Sequence, residues 1–404
     1  MIKWPLERVS GPLAPYAAGF QEYLTAEGYK PGTVRDCLSL MAHVSRWLAS
    51  RDLGAGDLGP GGVEQFLRAR RDAGYTNRLS VRGMSPLLDH LRGLGAVPAP
   101  ASGVPSTPIE TLIEAYKAYL LAERGLSAAT VRNYVQVARL FLSHREMATG
   151  ALDLEKLTPG AVSEFVLAEC RRSSVGSAKC MVTRLRCLLR FLHVEGHTAV
   201  ALGSAVASVA SWRLASLPKA IDDASVALLL GSCDRRCATG RRDFAVLTIL
   251  YRLGLRAGEV AALTLSDVDW RHGEVVITGK ANRSERLPLP ADVGEAIVAW
   301  LQHGRPAGRP CPCVFTRVRA PLSSLSAGAV SAIVRNACLR AGLPAMGAHR
   351  LRHTAATQML QAGASLGEVG QILRHRSMNT TSIYAKVDRR ALVALVRPWP
   401  GGAA

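Results

Sequence analysis

Apolar residues recur at three- and four-residue steps through the first two hundred positions, as in Val131, Val135, Ala138 and Phe141 to Leu142. That spacing gathers them on one face of an amphipathic helix. Ser127, ahead of Ala128-Ala129-Thr130, reads as the N-cap of a helix running to Ser143, and Lys30-Pro31-Gly32-Thr33 opens an equivalent helix nearer the start. From about residue 220 the pattern changes to longer helices. Asp243 to Leu255 predicts a buried helix, and Glu274 to Thr278 with Arg286 to Leu289 predicts a hairpin around Gly279 to Ser284. Helices then resume to the end. The fold class that follows is mainly α with a small β-sheet, an α+β arrangement in the last part of the chain.

Two Pro/Gly/Ser/Ala-rich stretches, Val97 to Pro108 and Ala199 to Pro218, punctuate this pattern. They divide the chain into segments 1–100, 106–205 and 215–400. The first two look like copies. Tyr23-Leu24, Ala26-Glu27 and Thr33-Val34-Arg35 return as Tyr119-Leu120, Ala122-Glu123 and Thr130-Val131-Arg132, and Val63 to Leu67 parallels Val162 to Val166. Leu87, Leu91 and Gly95 parallel Leu188, Leu192 and Gly196. A duplicated helical bundle is the economical explanation.

Composition narrows the partners. A chain of 404 residues, 48% hydrophobic, can bury a sizeable core and suggests two or three domains. Its formal charge of +19 favours a polyanion, and nucleic acid is the obvious one. Only eight of the 50 basic residues are lysines, so a lysine at a matched position, such as Lys280, carries weight. The nine cysteines are odd in number and lie mostly within apolar helical patterns, which predicts reduced, buried thiols. Neither Cys311-Pro-Cys313 nor Cys233 with Cys237 has the spacing of a structural zinc site, so no metal is expected. No leader and no membrane-length apolar run are apparent, which places the protein in the cytoplasm, associated with the nucleoid.

Six residues in the last part of the chain share one kind of chemistry: Arg256, Lys280, His349, Arg352, His375 and Tyr384. Five can donate hydrogen bonds to phosphate oxygens, and the sixth can attack phosphorus. A phosphodiester repels nucleophiles, and its transition state gathers further charge, so preorganised donors lower the barrier. Arginine suits that task because it engages two oxygens at once and stays charged. Glu259, three residues after Arg256, could orient it from the same helical face, and His349 and Arg352 share a face in the same way. Taken singly, a tyrosine beside Ile383 would be core packing. The surrounding set reverses that reading.

These residues sit in a frame that resembles the tyrosine recombinase (phage integrase) family, with Xer-like context. The frame is Gly-Leu-Arg-Ala-Gly-Glu ending at Glu259, Thr-Gly-Lys at 278 to 280, His-Arg-Leu-Arg-His at 349 to 353, and Leu-Arg-His-Arg followed by Thr-Thr-Ser-Ile-Tyr at 380 to 384. The resemblance implies helical, SAM-like DNA-binding domains ahead of a recombinase catalytic domain. It implies that Tyr384 attacks the scissile phosphate to give a 3′-phosphotyrosyl link and a free 5′ hydroxyl. His349 would then assist proton transfer, His375 would bind the phosphate, and Lys280, at a hairpin tip, would protonate the leaving oxygen. His353, beside them, is expected to be structural. Bond energy held in the covalent intermediate makes ATP, metal and other cofactors unnecessary.

The second copy resembles the domain that clamps DNA opposite the catalytic domain. Its cations Arg132, Arg139, Arg171, Arg172, Lys179, Arg184 and Arg186 are candidates for phosphate contacts, as is Arg283 in the hairpin. Three departures from the family pattern stand out: Ala281 and Arg283 where glycine and lysine are common, and Arg374 where glycine usually precedes the second histidine. They are expected to alter loop geometry or phosphate contacts without abolishing cleavage. The segment from Asp388 to Val396 could form a helix exchanged within a DNA-bound tetramer of this chain, alone or with sister recombinases. The leading expectation is a site-specific recombinase or integrase, or the transposase of a mobile element, acting on double-stranded DNA. A binding-only accessory protein and a type IB topoisomerase-like enzyme remain the alternatives.

Overall fold

The computed structural model describes residues 9–98, 107–149, 152–210, 219–279, 284–307, 311–375 and 378–387. By packing it divides into two units, one formed by 1–97 together with 216–404 and the other by 98–215.

The first four helices are α1 (Ala17–Ala26), α2 (Pro31–Ala49), α3 (Pro60–Asp72) and α4 (Val81–Gly93). Residues 107–210 form α5 (Pro108–Ala122), α6 (Ala128–Thr149), α7 (Pro159–Arg172) and α8 (Val175–Val194) in the same order. Prolines at the first helical positions of α2, α3, α5 and α7 fit there because that N–H needs no partner inside the helix. Matching positions are buried in both sets: Leu24 and Leu120, Val63 and Val162, Phe66 and Phe165, Leu87 and Leu188, Leu91 and Leu192. The aromatic pairs also match. Phe20 and Tyr23 stack with centroids 6.4 Å apart and planes at 17°, and Tyr116 and Tyr119 stack at 6.4 Å and 15°.

The remaining described chain carries α9 (Asp223–Gly231), α10 (Ala238–Arg252), α11 (Ala257–Ala262), β1 (Val268–Asp269), β2 (Glu274–Thr278), β3 (Ser284–Pro288), α12 (Ala291–His303), α13 (Ala327–Arg340), α14 (Ala348–Gln361), α15 (Leu366–Ile372) and α16 (Met378–Thr381). A 3-10 turn over Ser382–Val387 follows. The sheet is antiparallel in the order β1-β2-β3, with Thr278 opposite Ser284. Val275 and Ile277 point into the core, as the two-residue repeat of a strand requires. The mainly α class with a small sheet therefore holds.

The structure moves several predicted boundaries. β3 begins at Ser284 instead of Arg286, because ladder hydrogen bonds continue through the exposed Ser284 and Glu285, which carry no apolar signal. The helix predicted from Asp243 begins at Ala238 and ends at Arg252, before Gly254 takes a left-handed φ of +58°. α6 runs on past Ser143 to Thr149.

All nine cysteines are free, but the expectation that they are buried needs correcting. Only Cys37, Cys233 and Cys338 are buried, while Cys180 lies on the solvent face of α8 and Cys237 caps α10 at its exposed start. Among the described residues no helix is long and apolar enough to cross a membrane, and no group of three or more His, Cys, Asp or Glu side chains could hold a metal.

Within the first unit, Leu322 connects the α1–α2 turn to the later helices. Its N–H donates to the Glu27 carbonyl at 3.1 Å. Its side chain fills the space beside Gly28, where φ is +79° and an added Cβ would lie 2.3 Å from Leu322 Cδ1.

Candidate active site

The site is assembled where the break before α11, the start of α14 and the turn after α15 meet. Gly254 makes the first approach possible, since a Cβ there would come within 2.7 Å of Leu373 and 3.4 Å of Ala355. Arg256 follows as the N-cap residue of α11. Glu259 accepts from the Arg256 backbone N–H at 2.8 Å and from its guanidinium at 2.6 Å. The three-residue spacing noted in the sequence thus becomes an ion pair, with the carboxylate buried and the arginine partly exposed.

Arg352, on α14, is 3% exposed. Its guanidinium donates to the Gly254 carbonyl at 2.6 Å and to the Leu373 carbonyl. Burial, followed by the nearby charge of Arg256, lowers its pKa to about 10, which leaves it protonated at neutral pH. Arg256 in turn donates to the carbonyl of Arg374 at 3.3 Å. Consecutive carbonyls of one turn therefore hold both arginines.

Tyr384 lies in the 3-10 turn and is buried, with its side chain packed among Ala356, Leu360, Val369 and Leu373. Its hydroxyl is 2.8 Å from Nδ1 of His353. His375 stacks parallel to the Tyr384 ring at 6.4 Å, and its Nδ1 is 2.7 Å from the Thr381 hydroxyl. Burial raises the Tyr384 pKa, while Arg352 pulls it in the opposite direction. Burial, the nearby arginines and neighbouring histidines lower His353 and His375 to about 4, so both rings are neutral at physiological pH. His349 is exposed on the α14 surface, with its ring 5.4 Å from His353. Crowding by neighbouring atoms, then Arg352 and Arg256, also shifts its pKa downward.

Of the predicted set, the structure brings together Arg256, Glu259, Arg352, His375 and Tyr384, with His349 adjoining His353. Lys280 and Arg283 lie outside the described residues, as does the segment 388–396. Sequence reasoning gave His353 a structural part, but it is His353, not His349, that meets the Tyr384 hydroxyl. Its position four residues after His349 and one after Arg352 was the available signal, because side chains one turn apart share a face. The sequence predicts that Arg374 alters loop geometry or phosphate contacts. In the structure it is also ion-paired to Glu259, at 2.7 Å.

In the second unit, Lys117, Arg132 and Arg139 line one groove between α5 and α6, where Arg139 pairs with Glu110 at 2.9 Å. Arg171 and Arg172 are exposed at the end of α7, with Arg172 3.5 Å from Glu169. Lys179 and Arg184 are partly exposed on α8. Arg186 instead closes a loop, donating to the Val206 carbonyl at 2.7 Å and to Ser208 at 2.9 Å. Charge is uneven along the chain. Half of the 50 basic residues, but only 13 of the 31 acidic ones, fall after residue 216.

The sequence profile of the phage integrase family matches residues 219–390, and that of its N-terminal SAM-like domain matches residues 113–196. A Sinorhizobium fredii protein named as an integrase/recombinase, y4rA, is 38% identical over 97% of this chain and 96% of its own length. Tyrosine recombinase XerD of Mycobacterium tuberculosis is 32% identical, covering 69% of this chain and 94% of XerD. Among solved structures, the XerH site-specific recombinase in its post-cleavage complex with difH substrate aligns with a TM-score of 0.56 at 20% identity, over 82% of this chain and 93% of that one. A λ integrase dimer bound to a core site aligns at 0.54 and 19% identity, over 72% and 96%. The motif frame, the helical domain ahead of it and a relative matched along almost the whole chain lead to one assignment: this protein belongs to the phage integrase family of tyrosine recombinases.

Proposed function

We propose that the chain cuts and rejoins double-stranded DNA at specific sites, with Tyr384 as nucleophile. The observation that carries this reading is the placement of the Tyr384 hydroxyl on His353, beside His375 and a turn that tethers both Arg256 and Arg352. A phenol with a raised pKa needs a proton acceptor, and a neutral imidazole at 2.8 Å supplies one. As the Tyr384 oxygen bonds to phosphorus, the bond from phosphorus to the 5′ oxygen breaks. The phenolic proton passes to His353, with His349 adjoining, and Lys280 supplies the proton taken up by the 5′ oxygen. Arg256, Arg352 and His375 offset the charge that builds on the phosphate oxygens. A 5′ hydroxyl from a second strand then reverses the step, so the phosphodiester energy is retained without ATP, metal or another cofactor.

In this reading 1–100 and 106–205 are DNA-binding copies, and 215–400 is the catalytic domain. The groove cations Arg132 and Arg139, with Arg171, Arg172, Lys179 and Arg184, neutralise phosphates. Arg186 contributes by shaping the second copy. One λ integrase structure is a tetramer bound to a Holliday junction, which supports assembly of this chain as a tetramer on DNA. Integration or transposition of a mobile element, in the cytoplasm, is the setting that fits.

The test is a suicide substrate: nicked DNA from sequences flanking the gene, comparing wild type with Tyr384→Phe. A denaturant-resistant protein–DNA adduct that the substitution abolishes supports the reading. Binding without an adduct on any flanking sequence, with partner recombinases supplied, moves the accessory-protein alternative ahead.

A further inference from the structure

Arg374 is the residue whose presence the proposed chemistry leaves unexplained. Its φ is +54°, a left-handed conformation that glycine adopts freely and a side chain with a Cβ resists. Its side chain is also only 5% exposed, so a guanidinium has been taken out of water at a place where glycine would relieve the backbone. Two sets of contacts offset those costs. The guanidinium donates to Glu259 Oε2 at 2.7 Å and to the Ile372 carbonyl at 3.2 Å. The left-handed turn directs the Leu373 carbonyl to Arg352 and the Arg374 carbonyl to Arg256.

Glu259 therefore lies between two arginines. One of its oxygens faces the guanidinium of Arg256, and the other accepts both the Arg256 N–H and Arg374. With Arg374 in place the carboxylate is 6% exposed; without it, Glu259 would keep one cationic partner and its rotamer would be held from one side only. Arg256 itself is the more exposed member, with a side chain 40% exposed.

We infer that Arg374 is a positioning residue for strand cleavage: by clamping Glu259 with its side chain and Arg256 with its carbonyl, it fixes the Arg256 guanidinium before DNA arrives. The inference rests on the proposed role of Arg256 in cleavage. It makes this turn a lock built from an arginine where a glycine would serve the backbone alone.

The experiment compares wild type, Arg374→Gly and Arg374→Lys as full chains with two readouts. The first is single-turnover adduct formation at saturating nicked duplex, with the Kd for that duplex measured alongside. The second, without DNA, is solvent exchange at the Arg256 side-chain N–H groups in protein carrying isotope-labelled arginine. The glycine variant relieves the left-handed backbone, so folding is not the limiting concern. The expected result is an unchanged Kd, adduct formation slowed about tenfold or more for Arg374→Gly, substantial recovery for Arg374→Lys, and faster Arg256 exchange in the glycine variant only. Wild-type cleavage by Arg374→Gly, or unchanged Arg256 exchange, overturns the inference. If wild type itself forms no adduct on any sequence, the proposed cleavage fails, while the exchange measurement still decides whether Arg374 holds Arg256.

Discussion

The hydroxyl of Tyr384 and Nδ1 of His353 are 2.8 Å apart, although His353 comes one residue after Arg352 and four after the histidine that sequence reasoning placed in proton transfer. Tyr384 is buried and His353 half-buried, and the imidazole is neutral at physiological pH. The expected consequence is that His353→Ala lowers the rate of adduct formation by about 10²- to 10⁴-fold, the usual worth of a positioned general base, while DNA affinity is retained. Single-turnover cleavage at saturating DNA measures this. A loss of only a few-fold would return His353 to a packing role and His349 to the proton.

Gly254 faces Leu373 and Ala355 at a φ of +58°, and its carbonyl holds Arg352. Gly254→Ala adds backbone strain and a 2.7 Å contact with Leu373. A loss of about 1–3 kcal/mol is expected in urea-induced unfolding, together with slower cleavage as the carbonyl is displaced from Arg352. An unchanged denaturation midpoint would contradict this account of the approach between the α11 break and α14.

Protonation should destabilise the same region. His353 and His375 have folded pKa values of about 4, below the value of about 6.5 expected in an unfolded chain. Between those limits the unfolded state binds more protons, so stability falls as pH drops from about 6.5 toward about 4 and is insensitive to these groups above that range. Each histidine contributes at most about 1.4 kcal/mol per pH unit in the window. Denaturation midpoints measured across it should drop in wild type and flatten when both histidines are replaced by asparagine. Equal slopes in the two proteins would show that neither ring is held neutral by its surroundings.

Leu322 occupies the notch at Gly28 and donates to Glu27. Gly28→Val would put side-chain carbon where the Leu322 methyl now sits. Hydrogen exchange at the Leu322 amide should accelerate on the order of tenfold, consistent with losing one ordinary hydrogen bond. Exchange at the wild-type rate would mean that the turn and Leu322 are held together by other contacts.

Much of the two four-helix segments was legible before folding. Tyr23 and Tyr119, Val63 and Val162, and Leu91 and Leu192 could be aligned because packing imposes a periodicity on the residues themselves, and the structure buries the matched aliphatic pairs. The helix and strand types followed from the same local rule. Their ends did not, as at Ser284 and Ala238, because hydrogen bonds extend an element through positions with no apolar signature.

The sequence by itself determined the class of elements, the repeated apolar pattern of the first two segments, the basic charge and the residue types of the candidate site, since each depends on composition or short-range spacing. Tertiary structure alone decided which side chains meet. His353 reaches Tyr384 across 31 positions, Arg374 reaches Glu259 across 115, and Arg352 reaches the Gly254 carbonyl across 98. Such contacts depend on how α11, α14 and the turn after α15 pack around Gly254 and Leu373. No spacing along a chain encodes the angle at which two distant helices cross or the carbonyl that a guanidinium will find there.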